Sequence, residues 1–579
     1  MTSGWRAWVD AAMPHLVVVP ILLPMLSGAC MLLMNEERRR TKLGINLLST
    51  LTCLVLAIVL LRWVDGQGGP GGVASFGIYL PGNWQAPYGI ALAIDRLSAL
   101  MLVLANLVAL CAALFSVTRW HRAGVHFHPL FQFQLMGLAG AFLTADLFNL
   151  FVFFEIMLAA SYGLLLHGSG RARVRAGLHY IAINLAASSL FLVGTSMLYG
   201  VTGTLNMADL ARVIPQVADA DRGLLHAGAA ILAVAFLAKA AAWPLNFWLV
   251  PAYAAATAPV GALFAIMSKV GIYTVLRLWT LFFSADAGAS AFFGETWLVD
   301  IGLCTLAFGS IGMLASQRLG NLAGYGVIVS SGTLLAAIGF RQDLLTASAL
   351  YYLLSSTLAA SAMFLLVDLV ERWRNHGATI APHERADHAP FLTPDLKPVE
   401  GINLDEEEAL LIGRAIPAAI AFLGLAFICC TLLIAGLPPL SGFIGKFAML
   451  SALINPAGLG AADAPVPTPL HWTFVALLIL SGLLGLIALS RAGIRHFWSA
   501  ADRGIPRLRV AEGLPIAVLV GATMLLAVQG GKAMRYLEDT ATALHRPTGY
   551  IDAVLSARPR PNPVAGPTVG PSPQPERLP

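Results

Sequence analysis

The sequence predicts an all-α integral membrane protein with about fourteen transmembrane helices. Of its 579 residues, 58% are apolar and 12% are charged, whereas a soluble domain has roughly twice that charged share. Apolar stretches of about 20 residues, long enough to cross a hydrocarbon core of about 30 Å, repeat along the chain. They lack the alternation of barrel strands, so helices are the structure that satisfies their backbone hydrogen bonds in lipid.

Fourteen apolar stretches supply the predicted spans. They cover residues 14–34, 44–63, 90–117, 129–145, 147–167, 178–200, 225–243, 259–283, 297–315, 322–340, 345–368, 415–452, 472–490 and 513–530. The twelfth is interpreted as one broken span. A strong basic cluster follows the first stretch rather than preceding it, so this stretch is interpreted as a retained helix and not as a signal peptide.

Lysine and arginine collect in alternate loops, which is the pattern of loops that face the cytoplasm. These loops follow the first, third, fifth, ninth and thirteenth spans, and their basic residues are Arg38, Arg39, Arg40, Lys42, Arg119, Arg122, Arg171, Arg173, Arg175, Arg318, Arg491 and Arg495. The opposite loops are acidic or mixed. With an even number of spans, the pattern predicts that both termini lie outside.

Four further segments complete the predicted organisation. Residues 1–128 form an N-terminal three-helix segment, and residues 491–556 hold the last helix and its flanks. Residues 371–413 form a mixed-charge cytoplasmic loop within the second half of the chain. Residues 557–579 are rich in proline and are predicted to be a disordered tail.

Composition also excludes several kinds of site. The net charge of +5 comes from short loops that serve topology, so no nucleic-acid partner is expected. All six cysteines lie inside apolar runs without a CxxC or Cys/His cluster, which indicates small buried hydrophobic residues and no metal site or disulfide. The chain has no glycine-rich dinucleotide motif, so we expect no cofactor.

Four ionisable residues lie in the middle of predicted spans: Glu155, Lys239, Lys269 and Lys446. A charged residue at a helix centre costs about 2.5–3.5 kcal/mol on insertion scales. A lysine can reach the headgroups from some distance along the helix, but this alternative suits Glu155 poorly, because its side chain is short and follows Phe153 and Phe154. Together, one acid and three bases at mid-depth indicate an internal polar line.

A carboxylate and a lysine in such a line can act as a proton switch. Burial favours the neutral form of a lysine, and a neighbouring carboxylate favours the charged form. Moving the carboxylate of Glu155 away would therefore let a lysine release its proton. The line is accordingly predicted to move protons or cations.

Ionisable residues outside this line are weaker candidates. Asp146, like Arg277 and Asp368, lies near a span end, where interface anchoring is the expected role. His179 lies at the cytoplasmic end of the sixth span and could feed protons inward, although a lone histidine there is more often structural. The role of Asp95, near the start of its span, stays open.

Two helix breaks accompany the lysines. Pro244 lies five residues after Lys239, where it removes a helix hydrogen bond and is expected to free the carbonyl of Ala240. A second break before Lys446 is predicted at Gly436, Pro438 and Pro439. Simple packing kinks are common in membrane helices, but interrupted helices in corresponding positions of two halves indicate an ion path at the midplane.

Three motifs stand out in the chain. They are DLFNLFVFFEIMLAASYGLLLHG, residues 146–168, AFLAKAAAWPLNFWLVPAYAAATAPVGALFAIMSKVGIYTVLRL, residues 235–278, and GLPPLSGFIGKF, residues 436–447. They resemble, in this order, the fifth helix, the seventh and eighth helices, and the twelfth helix of the D subunit of Mrp-type (or Pha-type) multisubunit Na⁺(K⁺)/H⁺ antiporters. The resemblance covers nearly the whole chain, and the family shares its fold with subunits of respiratory complex I and membrane-bound hydrogenases.

The resemblance implies an architecture and a set of roles. It implies two inverted five-helix repeats, residues 129–283 (helices 4–8) and 297–490 (helices 9–13), with helices 7 and 12 broken. Glu155 would be the glutamate that pairs with Lys239, Lys269 the relay lysine, and Lys446 the lysine that ends the line. It further implies a bacterial inner membrane, partner subunits of types A, B, C, E, F and G, and exchange of Na⁺ or K⁺ for H⁺.

Some positions depart from the family pattern. Related subunits often have histidine where Asn246 and Ala265 stand, and proline where Val250 stands. A histidine-assisted relay is therefore in doubt, and water with hydroxyl groups would have to bridge the line. The candidate hydroxyls, each more often a packing residue, are Ser330, Ser331, Thr333, Ser355, Ser356 and Thr357.

Three functions remain open from the sequence. The first is a secondary transporter subunit that is not an enzyme, and the second is a proton-pumping subunit of a redox-driven complex such as an NADH–quinone oxidoreductase. The third, a non-conducting scaffold, leaves four costly charges unexplained. The wording of the fifth-helix motif favours the first, while the choice of Na⁺ or K⁺ stays open.

Overall fold

The computed structural model describes residues 12–13, 15–35, 37–66, 76–120, 124, 126–168, 170–379, 418–456, 467–498 and 508–559, without the side chains of 374–379. In this part of the chain, twelve helices are long and apolar enough to cross a membrane. The prediction of an all-α membrane protein is confirmed, while the count of fourteen spans and the two inverted repeats stay predictions. The predicted tail beyond residue 559 and most of the loop 371–413 lie outside the described residues.

The first six helices match the first six predicted spans. They are α1 (Val19–Leu33), α2 (Arg39–Gly66), α3 (Arg96–Ser116), α4 (Phe127–Leu143), α5 (Leu147–Leu166) and α6 (Arg171–Thr202). Two short antiparallel strands, β1 (Gly77–Tyr79) and β2 (Leu92–Ile94), lie between α2 and α3. Because α6 begins at Arg171, the helix starts earlier than the predicted span at residue 178.

The middle of the chain contains the first broken helix and the core of the bundle. Its helices are α7 (Met207–Val213), α8 (Asp219–Lys239), α9 (Leu249–Ala255), α10 (Ala258–Phe282), α11 (Glu295–Ala315), α12 (Leu319–Gly339) and α13 (Asp343–Thr379). The predicted cytoplasmic loop begins at residue 371, and α13 continues to Thr379, so the first nine residues of this segment are helical. Glu371 and Arg372 are good helix formers, and the first proline comes only at Pro382.

The last part contains the second broken helix and two additional helices. Its elements are α14 (Ala418–Ala435), α15 (Ser441–Ile454), α16 (Pro469–Gly493), α17 (Val510–Val528), α18 (Gly530–His545) and α19 (Thr548–Leu555). Residues 491–556 are predicted to hold one helix, whereas the described residues of this range contain the three helices α17, α18 and α19 and a short π-helix, Ile494–Trp498. Both predicted breaks are present, between α8 and α9 and between α14 and α15.

Burial separates a central group of helices from a peripheral one. The apolar segment of α10 that is long enough to cross a membrane is completely buried, and the same segments of α12 and α13 are nearly so. In α2 and α16, about two thirds of the residues of this segment remain accessible. In a membrane protein, the accessible apolar faces of peripheral helices suit lipid or partner subunits. The centre formed by α10, α12 and α13 is therefore where a polar path can be shielded from lipid.

Two helices after the last span, α18 and α19, fold back onto one end of the bundle, and we call them the clasp. The clasp packs on α13, α10 and α7. Leu537, Ala541 and Leu544 are buried at helical spacing, and Tyr536 donates a hydrogen bond to the carbonyl of Arg96 at 2.8 Å. This amphipathic spacing can be read from the sequence and indicates a helix, whereas the prediction treats the segment only as a flank of the last span. We call the covered end of the bundle the clasp end.

Docking of the clasp is expected to weaken in acid because of His545. Burial lowers the pKa of His545, nearby Asp343 raises it, Arg341 lowers it, and the net shift is downward. The docked histidine, whose Nε2 is 3.0 Å from the hydroxyl of Thr346, is therefore neutral. The undocked histidine titrates near its ordinary pKa of about 6.5, so stability is present above that pH and is lost below it.

Hydrogen exchange of the α18 amides is the measurement for this expectation. Protection should fall as the pH drops from about 7 to about 5 once the intrinsic exchange rate is corrected, since His545 titrates near 6.5 when undocked. His545→Gln retains a hydrogen-bonding side chain next to Thr346 but does not titrate, so it should remove this pH dependence. An unchanged pH response in that variant would contradict the role of His545.

Candidate functional site

Lys239 is the last residue of α8, at the point where the first broken helix ends. Past it, Ala241 has a φ of 54°, and the Trp248 indole donates a hydrogen bond to the carbonyl of Ala238 at 3.2 Å. Gly271 of α10 packs against the break, since a Cβ there would lie 2.7 Å from the backbone nitrogen of Ala240. Helix α8 thus ends one residue before Ala240, whose carbonyl Pro244 is predicted to free. The end of α8 is held between α9 and α10.

The Lys239 ammonium is buried without a hydrogen-bond partner among the described residues. It lies 5.1 Å from the centre of the Phe154 ring, so a cation–π contact is its nearest favourable interaction. A cavity of about 10 Å³ borders it and is lined in part by Asn184 and Trp248. This volume is close to the minimum for one water molecule, so the ammonium lies beside a space in which a proton could transfer.

Glu155 is half-buried between α5 and α6 and is turned toward Ser188. The hydroxyl of Ser188 donates a short hydrogen bond to the Glu155 carboxylate. Among the described residues, Glu155 makes no ion pair within 4.0 Å. The predicted Glu155–Lys239 pair is therefore separated here, and Ser188 is the group that holds the carboxylate.

Asn184 and Ser188 were missed by the sequence analysis, although a signal was present. Both are buried on α6, and they are one turn apart on the same face. Asn184 donates its amide to the carbonyl of Tyr180 at 2.8 Å, which leaves its side-chain oxygen beside the Lys239 cavity. Two polar residues four apart in an apolar span would have indicated this face.

Lys269 lies in the centre of the bundle on α10, where it is 1% exposed. Its ammonium donates a hydrogen bond to the Ser330 hydroxyl of α12 at 2.8 Å. Ser330 in turn donates to the hydroxyl of Ser356 on α13 at 2.9 Å. Lys269 is therefore joined to α13 through two hydroxyl groups, with no histidine between them.

The neighbouring residue on α13 faces the second broken helix. Ser355 lies next to Ser356 in the chain, and its hydroxyl is 2.8 Å from that of Ser441, the first residue of α15. Two successive serines of one helix thus contact α12 on one side and α15 on the other. Of the other hydroxyl candidates, Thr333 and Thr357 donate to carbonyls of their own helices, so they fit a packing role.

Lys446 lies one turn into α15 and stabilises the end of α14. Its ammonium donates to the carbonyl of Ala435 at 3.0 Å and to that of Ile434 at 3.3 Å. Gly436, with a φ of 78°, turns the chain between the two helices. A Cβ at Gly436 would lie 2.5 Å from the Lys446 Cδ, so glycine is required by both the backbone conformation and the lysine. The Lys446 ammonium is thus hydrogen-bonded, whereas the Lys239 ammonium is not.

The secondary candidates lie away from this line. His179 is exposed on α6, and its Nδ1 is 3.0 Å from the carbonyl of Arg175; it lies within the helix and not at its end, because α6 begins at Arg171. Asp146 caps α5 by accepting a hydrogen bond from the backbone nitrogen of Asn149 at 2.9 Å. This contact explains Asp146 as a helix cap.

Arg277 was expected to anchor the chain at the membrane interface, and this prediction is wrong. Its guanidinium forms a two-pronged ion pair with Asp95, at 2.7 and 2.6 Å, and both side chains are at most 10% exposed. An arginine that anchors the chain at the interface would instead have an exposed guanidinium. The open role of Asp95 is thereby answered in part, since a distant helix supplies its partner.

Comparisons with known proteins agree with the motif resemblance. Residues 144–386 match the family model described as NADH:quinone oxidoreductase/Mrp antiporter, TM. The chain is 53% identical to the D subunit of a probable K⁺/H⁺ antiporter of Rhizobium meliloti (strain 1021), over 95% of this chain and 98% of the relative. It is 31% identical to the D subunit of a Na⁺/H⁺ antiporter of Alkalihalophilus pseudofirmus, over 94% of this chain and 100% of the relative.

The fold also resembles that of a solved assembly. A chain of the Mrp complex from Dietzia sp. DQ12-45-1b superposes with a TM-score of 0.75 at 23% identity, over 96% of this chain and 100% of that chain. At this level of identity the likeness concerns the fold.

Proposed function

Because this chain belongs to the family of D subunits of multisubunit cation/proton antiporters, we propose that it conducts protons along a buried line from Glu155 to Lys446. The chain is a multi-pass membrane subunit of such an antiporter, and it works with other subunits. The observation that carries the proposal is the position of two adjacent serines of α13. Ser356 is hydrogen-bonded through Ser330 to the central Lys269, and Ser355 contacts Ser441 of the second broken helix.

The first half supplies the switch. Glu155 rests on Ser188, apart from the Lys239 ammonium. A carboxylate that swings toward this ammonium stabilises its charged form, and one that returns to Ser188 leaves a buried, unpaired charge that favours deprotonation. Release and uptake of a proton at Lys239 therefore follow the position of the glutamate, and the small cavity beside Asn184 gives the proton a polar neighbour.

The centre and the second half supply the relay. A proton that leaves Lys239 is passed to Lys269, and from there through Ser330 to Ser356. It then has to pass from Ser356 to the neighbouring Ser355, which contacts Ser441 of α15. Hydroxyl groups can both donate and accept a hydrogen bond, which is the property that a histidine would otherwise provide. The line ends at Lys446, which must exchange its contacts with the α14 carbonyls for a new proton acceptor.

The transported cation and the surroundings are part of the same proposal. We propose K⁺ as the exported ion, because the relative of 53% identity is named as part of a K⁺/H⁺ antiporter and the Na⁺/H⁺ relative is only 31% identical. The partners would be subunits of types A, B, C, E, F and G, in a bacterial inner membrane with both termini outside. The redox-driven alternative is disfavoured because both relatives are named as antiporter subunits.

Cation-dependent proton flux tests this function. Everted vesicles that carry the whole complex are loaded with a proton gradient, and KCl, NaCl or choline chloride is added. We expect K⁺ to dissipate the gradient and choline to leave it unchanged. Dissipation by Na⁺ alone would contradict the proposed cation, and no response to either ion would contradict the antiporter function.

Ser188→Ala is expected to slow transport by about tenfold without preventing assembly. The serine holds the Glu155 carboxylate in the position that leaves Lys239 unpaired, and a hydrogen bond to a charged group contributes about 1.5–3 kcal/mol. Ser189→Ala is the matched control, because Ser189 is exposed next to it and donates only to its own helix. Equal rates for the two variants would contradict the role of Ser188.

A further inference from the structure

A second group of buried ionisable residues lies at the clasp end, apart from the line described above. At its centre is the ion pair between Asp95, the cap of α3, and Arg277 of α10. Asp95 also accepts hydrogen bonds from the backbone nitrogen and the hydroxyl of Ser98, at 2.9 and 2.8 Å. A buried pair that is this completely hydrogen-bonded is weak evidence for stability alone, because replacing both partners is often neutral.

The pair is aligned with the central lysine along α10. Lys269, Tyr273 and Arg277 are four residues apart and therefore lie on one face of the helix. Tyr273 donates its hydroxyl to the carbonyl of Phe142 at 2.8 Å, and its ring centre is 5.6 Å from the Arg277 guanidinium. The two charged residues are about 12 Å apart along the axis, with one hydroxyl-bearing side chain between them.

On its other side, the pair borders a cavity that leads toward solvent. The cavity has a volume of about 20 Å³ and is lined in part by Asp95, Arg96, Arg277, Thr540 and Tyr550, so it has room for a single water molecule. The clasp forms one wall of it. Beyond the cavity, Arg96 pairs with Asp539 of the clasp at 3.1 Å and with Asp65 at 3.6 Å, and these two carboxylates are more than half exposed.

We propose that this cluster is the mouth of the proton path at the clasp end, with Asp95 as its proton-binding group. Asp65 and Asp539 face the solution, the cavity borders Asp95, and Tyr273 lies between the pair and Lys269 on the same face of α10. Arg277 keeps the Asp95 carboxylate ionised until the two separate. The proposal rests on the proposed proton conduction, and it adds the route by which protons pass between the buried line and the outer solution.

The charged and titratable groups that face Asp95 come from all elements packed around it, and they are Arg96, Tyr273, Arg277, Tyr536 and Tyr550. Arginine cannot release a proton at usable pH, and the tyrosine hydroxyls are ordinarily weak acids. Asp95 is therefore the buried member of this cluster that can change its charge during transport.

The test is a neutral pair, Asp95→Asn with Arg277→Gln, in vesicles that carry the whole complex. The two amides can replace the ion pair by hydrogen bonds, so a merely structural pair would tolerate the change. We expect the assembled variant to transport at least about 100-fold more slowly, which is the low end of what a positioned proton-transfer group contributes, and to lose its dependence on the pH of the clasp side. A smaller decrease in an assembled complex would overturn the proposal.

Two further variants keep the test decisive if the neutral pair fails to assemble. Tyr273→Phe removes only the hydroxyl and its hydrogen bond, so we expect an assembled complex with at least about threefold slower transport, and a wild-type rate would overturn the proposal. The matched control is Asp219→Asn with Arg222→Gln, which neutralises an ion pair of 2.9 Å at the start of α8 and should transport normally. Lys239→Ala is measured in parallel. If Lys239→Ala transports normally, the proposed proton conduction is refuted. If Lys239→Ala loses transport while the neutral pair remains fully active, only the proposed mouth is refuted.

Discussion

Lys239→Ala is expected to lower cation-dependent proton flux at least about 100-fold, which corresponds to about 2.7 kcal/mol in the barrier. In the proposed path, the ammonium carries the proton in the first half, and no other lysine among the described residues is placed to replace it. Expression should be retained, because the Lys239 ammonium has no hydrogen-bond partner among the described residues, so its removal leaves no group unsatisfied. Removing a buried charge also relieves its desolvation.

Everted vesicles with the whole complex provide the measurement for Lys239→Ala, and the yield of assembled complex is read alongside it. Lys532→Ala is a matched control, since Lys532 is exposed on the clasp and should leave the flux unchanged. Glu155→Ala should give the same loss as Lys239→Ala. Flux within about twofold of wild type in either variant, well under 1 kcal/mol in the barrier, is incompatible with the proton switch.

Lys446→Arg is expected to preserve the fold and to stop transport, again by at least about 100-fold. The guanidinium retains the positive charge and can still donate to the carbonyls of Ala435 and Ile434, so the end of α14 remains stabilised. It cannot release a proton at usable pH, so the line has no functional end.

The alanine variant separates the two roles of Lys446. Lys446→Ala should lose both transport and some thermal stability of the complex, because the freed carbonyls of the broken helix lose their donor. Melting of the complex and proton flux are measured for both variants. Normal transport by Lys446→Arg would mean that this lysine serves only as a fixed charge at the helix break.

The membrane fold could be predicted from the sequence because its signal is local. A run of about 20 apolar residues specifies a spanning helix irrespective of its neighbours, and the breaks at Pro244 and Pro438 follow from the missing backbone donor of proline. The clasp was missed for the opposite reason. Its apolar residues, such as Leu537 and Leu544, lie on one face of a short amphipathic helix. The surface that this face packs against exists only after the bundle has folded.

The site could be predicted in part for a similar reason. Glu155 and the three lysines stand out because lipid makes each of them costly, so the sequence alone selects them. Their partners are set by packing between distant segments. Ser188 is 33 residues from Glu155, and Ser330 is 61 from Lys269, so the local sequence does not show which ionisable residue each serine contacts.

The hydrogen bonds of Lys446 to the end of α14 have a kinetic consequence. Before it can pass on a proton, this lysine must give up two carbonyl acceptors, whereas Lys239 has none to give up among the described residues. The second half should therefore contain the slower proton transfer and limit the turnover of the whole line. A solvent deuterium isotope effect on transport would then originate at Lys446.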